Sequence, residues 1–204
     1  MTRSSLILLA VRRFLPLYRK ILKVILASFI SLLLVLCEVI PIQAAAIDVG
    51  AAAVDRNSTW GVGFTGFDGT NPANGSGTVD AIEVWANTNI TGLIVGTFFF
   101  VSGVTYKCRD SETISGTITA GSKQTFTGLS VAVVNGDYFG NYFTGGILEA
   151  ASGQPSGSSY YQIGSYINPG SQTLYTAYTK IFSLYGTGTT SGGAAPYIPK
   201  IWWH

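Results

Sequence analysis

Few side chains in this sequence are of types that do chemistry, and their spacing narrows the options. Asp110 and Glu112 stand two apart, so an extended backbone would send both carboxyls to one face. Two carboxyls about 5–10 Å apart across a sugar are the machinery of glycoside hydrolysis. The competing reading is a solvated acid pair, because Cys108-Arg109-Asp110-Ser111-Glu112 has the look of a polar turn between strands, and no catalytic residue is assigned. A nucleophilic triad needs a base, and the single histidine is the last residue, His204. The same shortage removes a histidine- or cysteine-based zinc site. Asp68, Asn71 and Asn74 share one loop and carry the oxygens a calcium ion takes, but the same residues serve turns for backbone reasons. The turn reading is preferred, and neither metal nor cofactor is expected. Cys108 lies between Lys107 and Arg109, which would lower the pKa of an exposed thiol. Strand alternation puts it opposite both charges, so a buried thiol is expected.

The aromatics are the stronger clue. Tyrosine has an apolar body and a polar tip, which suits sugar rings and protein surfaces alike. Tyr160, Tyr161 and Tyr166, read as one loop region, are the candidate ligand-binding residues, together with Trp60 and Trp85.

These residues are positioned by a chain of 204 residues with 25 glycines, 11 tyrosines and 11 phenylalanines. Charged residues make up 11%, against a usual ~25%. The net charge of +2 misleads, since six of the twelve bases lie in the first 23 residues. Beyond residue 46, six bases face nine acids, and the body carries −3. A slightly acidic body without a basic run argues against nucleic acid.

The basic start is followed by the uncharged run Val24–Cys37 and then by Ala44-Ala45-Ala46. This is the layout of a secretory signal peptide spanning 1–46, with a retained signal anchor as the alternative and membrane contact confined to this segment. A secreted or cell-surface location follows. Cleavage would leave Cys108 without a disulfide partner.

From Ile47 the sequence breaks into short strand-like runs between Gly, Asn, Pro and Ser clusters. Ile47–Ala53, Thr59–Phe67, Thr78–Ala86, Leu93–Val101, Thr105–Arg109 and Thr113–Thr119 are expected strands, with a turn at Asn87-Thr88-Asn89. Phe98–Val101 reads as buried on both faces. The stretch Phe126–Glu149 organises the rest as a β-meander. Asn135-Gly136 supplies a type I′ hairpin turn, and Gly145-Gly146 a second turn. About ten strands in some 140 residues indicate an all-β protein, an antiparallel, jelly-roll-like β-sandwich over 47–186. Residues 187–204 read as a Gly/Thr/Ser linker and an aromatic tail ending in Trp202-Trp203.

The segments Asn71–Gly77, Cys108-Arg109-Asp110, Gly121–Phe126, Gly136–Gly140 and Ser183–Gly186 together resemble exported jelly-roll β-sandwich modules of bacterial and phage-associated proteins, and are loosely similar to lectins and carbohydrate-binding modules. The resemblance implies a fold, an extracellular compartment and a glycan ligand. With the absence of a catalytic base, it gives the expectation of a non-catalytic extracellular binding module, not an enzyme, that recognises surface glycan or polysaccharide. The alternative is a structural subunit that self-associates through sheet edges or the tail.

Overall fold

The structure is a computed structural model that describes residues 45–191, together with Lys20, residues 22–23 and residues 25–28 of the N-terminal segment, which are helical. The signal peptide of 1–46, apart from these, and the Trp202-Trp203 tail lie outside the described residues. Among the described residues no helix is long and apolar enough to cross a membrane.

The body is all-β, and its strands form two curled antiparallel sheets. In the first, β1 (Ala46–Gly50), β15 (Leu184–Thr190), β4 (Gly77–Thr91), β10 (Gly145–Ala151) and β14 (Ile181–Phe182) lie side by side. Strand β2 (Ser58–Trp60) pairs with β10, while β7 (Thr117–Ile118) and β8 (Lys123–Val133) pair with β4. The second sheet runs β12 (Gln172–Leu174), β6 (Thr105–Thr113), β5 (Ile94–Ser102), β9 (Tyr138–Tyr142), β3 (Phe64–Asp68), β11 (Ser159–Ile163), β13 (Thr176–Tyr178). Its two outermost strands, β12 and β13, are separated in the chain by Tyr175 alone. The second sheet therefore curls until its edges meet.

Two cores result, because strand alternation gives the second sheet two buried faces. Val95 and Phe139 point toward the first sheet and pack with Val79, Ile82, Val84, Val131, Leu148 and Phe182. Phe67, Phe98, Tyr106, Cys108, Ile167 and Tyr175 fill the inside of the curl. Phe67 is the hub, with the rings of Phe98, Tyr106, Tyr138, Tyr160 and Tyr175 all within 5.6 Å of its centroid.

Several expectations are corrected. The Asn135-Gly136 turn is not a hairpin: β8 belongs to the first sheet and β9 to the second, so the turn carries the chain between layers. Asp137 N–H donates to Val134 O at 2.9 Å, and only Gly136, at φ +89°, is left-handed. One positive φ, at the third position, makes this a type II turn rather than type I′. Gly145-Gly146 is not a turn but the start of β10; Phe143-Thr144 carries the chain from β9 to β10 in the other sheet, so there is no meander. Thr59–Phe67 divides into β2 and β3, again in different sheets. Asn87-Thr88-Asn89 is not a turn but the interior of the 15-residue β4. Phe98 is buried whereas Phe100 and Val101 are exposed, so that run is not buried on both faces.

The boundary at residue 186 also moves. Gly186–Thr190 belongs to β15, which pairs with β1 on one side and β4 on the other. A Cβ at Gly188 would stand 1.8 Å from Thr78 O. These glycines permit close strand approach rather than flexibility.

Candidate functional site

The two carboxylates singled out by spacing lie on a strand, not in a turn. Strand β6 runs unbroken through Cys108–Glu112, and Asp110 and Glu112 do share a face. That face meets the outer edge of β8, whose other edge is paired with β4. Ala132 N–H donates to Asp110 Oδ2 at 2.8 Å, and Ser130 N–H to Glu112 Oε2 at 2.7 Å. Val134 N–H donates to Asp137 Oδ2 at 2.8 Å. Three carboxylates thus serve three alternate amides, in place of a neighbouring strand. Arg109 completes the array: its guanidinium donates twice to the Asp137 carboxylate and lies over the Phe99 ring, 4.6 Å from the centroid. The Asp137 side chain, hydrogen-bonded to it, pushes the Arg109 pKa up, against some desolvation.

Beside this edge is an open cleft of about 180 Å³ lined by Glu112, Thr113, Ile114, Ser115, Phe126, Thr127 and Leu129. It owes its shape to a bulge. Between the pairs Val79↔Val131 and Ala81↔Thr127 the β8 register shifts, and Gly128 takes φ +80°. Bulges bend a strand and re-aim its side chains. Here the bulge sets Phe126 and Leu129 beside the end of β6. The lining of the cleft mixes the apolar side chains of Ile114, Phe126 and Leu129 with the polar residues Thr113, Ser115 and Thr127, and Glu112 has one oxygen held by Ser130 N–H.

The five aromatic candidates do not converge. Tyr160 and Tyr161 are on β11, not in a loop, and alternation sends them to opposite faces. Tyr160 stacks on Phe67 at 5.3 Å inside the curl, while Tyr161 meets Trp60 edge-on at 6.0 Å in the core between the sheets. Trp60 is 5% exposed, and its indole N–H donates to Asn141 Oδ1 at 3.2 Å. Tyr166 packs against the inner core. Trp85, half-buried, is on β4 opposite Lys123, apart from the others. Only the Trp60/Tyr161 pair is brought together, and it is a packing contact.

Cys108 is buried as expected, its thiol donating to Ile167 O at 3.1 Å. Burial first, with Asp110 nearby, pushes its pKa up to about 12. The calcium-type loop is used by the chain itself. Asp68 Oδ1 accepts from the Thr70 amide and hydroxyl, and burial raises the Asp68 pKa. Asn71 Nδ2 donates to Asp48 Oδ1 and Gly50 O, and Asn74 Oδ1 accepts from Asp48 N–H. The loop thereby covers the free edge of β1. Among the described residues no group of three or more His, Cys, Asp or Glu is placed to hold a metal.

Sequence reasoning reached Glu112 but missed the cleft, because Phe126 and Leu129 converge on it only through the bulge. Gly128 was its sole signal. No family model matches this chain, and neither the curated proteins nor the solved structures yield a match.

Proposed function

We propose that this chain is a non-catalytic extracellular binding module for surface glycan or polysaccharide, built on a jelly-roll-like sandwich and exported by its N-terminal segment. The bulge-shaped cleft carries the reading. A sugar ring presents an apolar C–H face and a rim of hydroxyls, and the lining of the cleft combines an aromatic ring, Phe126, with the hydroxyl residues Thr113, Ser115 and Thr127 and the Glu112 carboxylate. Its volume of about 180 Å³ is below the ~300–1,000 Å³ of drug-sized sites, so one ring of a longer glycan is the fitting occupant. Asp110 and Glu112 serve as backbone acceptors here, which gives them a structural task and supports the non-catalytic reading. A structural subunit assembling through sheet edges has less support, because carboxylates line the edge of β8 and the Asn71–Asn74 loop covers that of β1.

The test is a polysaccharide and glycan-array screen of the full chain beside Phe126→Ala and Glu112→Gln. Binding that weakens at least tenfold in Phe126→Ala, with unchanged thermal melting, supports the cleft. Binding indifferent to both substitutions moves the site elsewhere, and no binding to any glycan ends the proposal.

A further inference from the structure

The hairpin joining β5 to β6 carries an apolar surface that neither core absorbs. Phe100, Val101 and Val104 are 55%, 41% and 44% exposed, and Leu174 on β12 is 62% exposed. Leu174 stands opposite Thr105, and Tyr175 N–H donates to Val104 O at 2.8 Å, so the four gather at one end of the curl, with Phe100 edge-on to Tyr106 on its inner face and Leu174 on the outer. Ile163, 68% exposed, extends the group: the side chain of neighbouring Gln162 donates to Leu174 O at 2.7 Å. No charged residue occurs from Ile94 to Tyr106. Single exposed apolar residues need no explanation, but a contiguous group on a projecting turn does.

What covers it is indicated by the chain that adjoins it. Phe98 pairs with Tyr138, which directly follows the Val134–Asp137 turn, so the hairpin runs on past that turn. In the same turn Asn135 N–H donates to Ser76 Oγ at 2.9 Å. Ser191 N–H donates to Ser76 O at 3.0 Å, and Thr190 N–H to Ala45 O at 3.1 Å. Both exits of the described body, Ala45 and Ser191, therefore flank the turn beyond which the hairpin projects. The sequence ahead of Ala45 includes the uncharged run Val24–Cys37, and that after Ser191 includes Tyr197, Ile198, Ile201, Trp202 and Trp203. Tryptophan and tyrosine gather at membrane–water interfaces, and a narrow apolar tip enters a headgroup layer where a stable protein interface needs about 800 Å² a side.

We propose that this end of the body docks on a lipid bilayer, with Phe100, Val101, Val104 and Leu174 entering the headgroup–acyl boundary. The surface is distinct from the cleft, so the molecule would face the membrane at one place and its ligand at another.

The test uses the full chain carrying Cys37→Ser, so that a single introduced cysteine takes an environment-sensitive fluorophore. Cys108 is buried and does not compete for label. One sample carries Val101→Cys. Another carries Thr119→Cys, an exposed site beside the far end of β4 from Ser76. On phosphatidylcholine vesicles the label at 101 should shift to the blue and lose most of its quenching by iodide, while the label at 119 stays in water. Adding Phe100→Ser and Leu174→Ser should restore quenching at 101. Two results overturn the proposal: a label at 101 that iodide reaches equally with and without vesicles, or one already shielded before lipid is added. The second would mean that the tail or another copy of the chain covers the patch.

Discussion

The row of carboxylates along β8 makes a demanding prediction. Replacing Asp110 and Glu112 together by alanine removes the acceptors of Ala132 and Ser130 N–H and leaves two adjacent outward amides on an exposed strand. A hydrogen bond to a charged group contributes about 1.5–3 kcal/mol. Both bonds are open to solvent, so the low end applies, and the double variant should lose about 3 kcal/mol of unfolding free energy. Asp110→Asn/Glu112→Gln retains an acceptor oxygen at each position and should lose less than half as much. Urea denaturation followed by tryptophan fluorescence reads the difference directly, since Trp60 is 5% exposed in the core. The alanine variant should also gain a concentration-dependent mass by light scattering that the parent lacks, because a bare strand edge recruits another strand. An alanine double variant as stable as the parent, with unchanged mass at every concentration, would refute the assignment of these carboxylates as edge caps.

Two further outcomes follow from the same geometry. Gly188→Ala sets a Cβ 1.8 Å from Thr78 O, so β15 must move off β4, and denaturation should show a loss of about 3 kcal/mol or more, at the upper end for overpacking. Stability should fall in alkali: the Cys108 thiol, ordinarily near 9, is pushed up to about 12 by burial, and burial also raises Tyr106 and Tyr175. The folded state then holds protons that the unfolded state releases, so the stability is complete below pH 9 and is lost as pH rises toward 12, by up to about 1.4 kcal/mol per pH unit for each group. Cys108→Ala should flatten the first part of that fall in pH-dependent melting, and an unchanged profile would contradict the buried-thiol account.

The fold class was legible because alternation is a local property. Val131 and Val133 announce their strand whatever lies opposite, and Cys108 its burial. Partnership was not legible. Asn135-Gly136 has the composition of a hairpin turn, yet whether the next strand pairs with the last or crosses to the other layer depends on partners such as β5, some forty residues earlier in the chain. Glycine misled in the other direction: Gly186 and Gly188 read as linker because composition does not separate freedom from close packing. The tyrosines misled for a third reason, since a sheet closing on itself needs large side chains inside, and Tyr160 and Tyr175 fill that space as phenylalanine would. The cleft needed a register shift that only Gly128 betrays.

The pairing of β1 with β15 also bears on the order of events in the cell. The first strand of the body and the last lie side by side, and Tyr175 closes the second sheet from late in the sequence. Neither layer can be completed until β13 and β15 have been made. Such long-range pairing makes folding slow, on the order of milliseconds to seconds for all-β domains. A growing chain of this kind stays threadable throughout its synthesis, a state suited to passage through a membrane pore. Its two exits, close together once folding ends, would let a single tether hold the finished body.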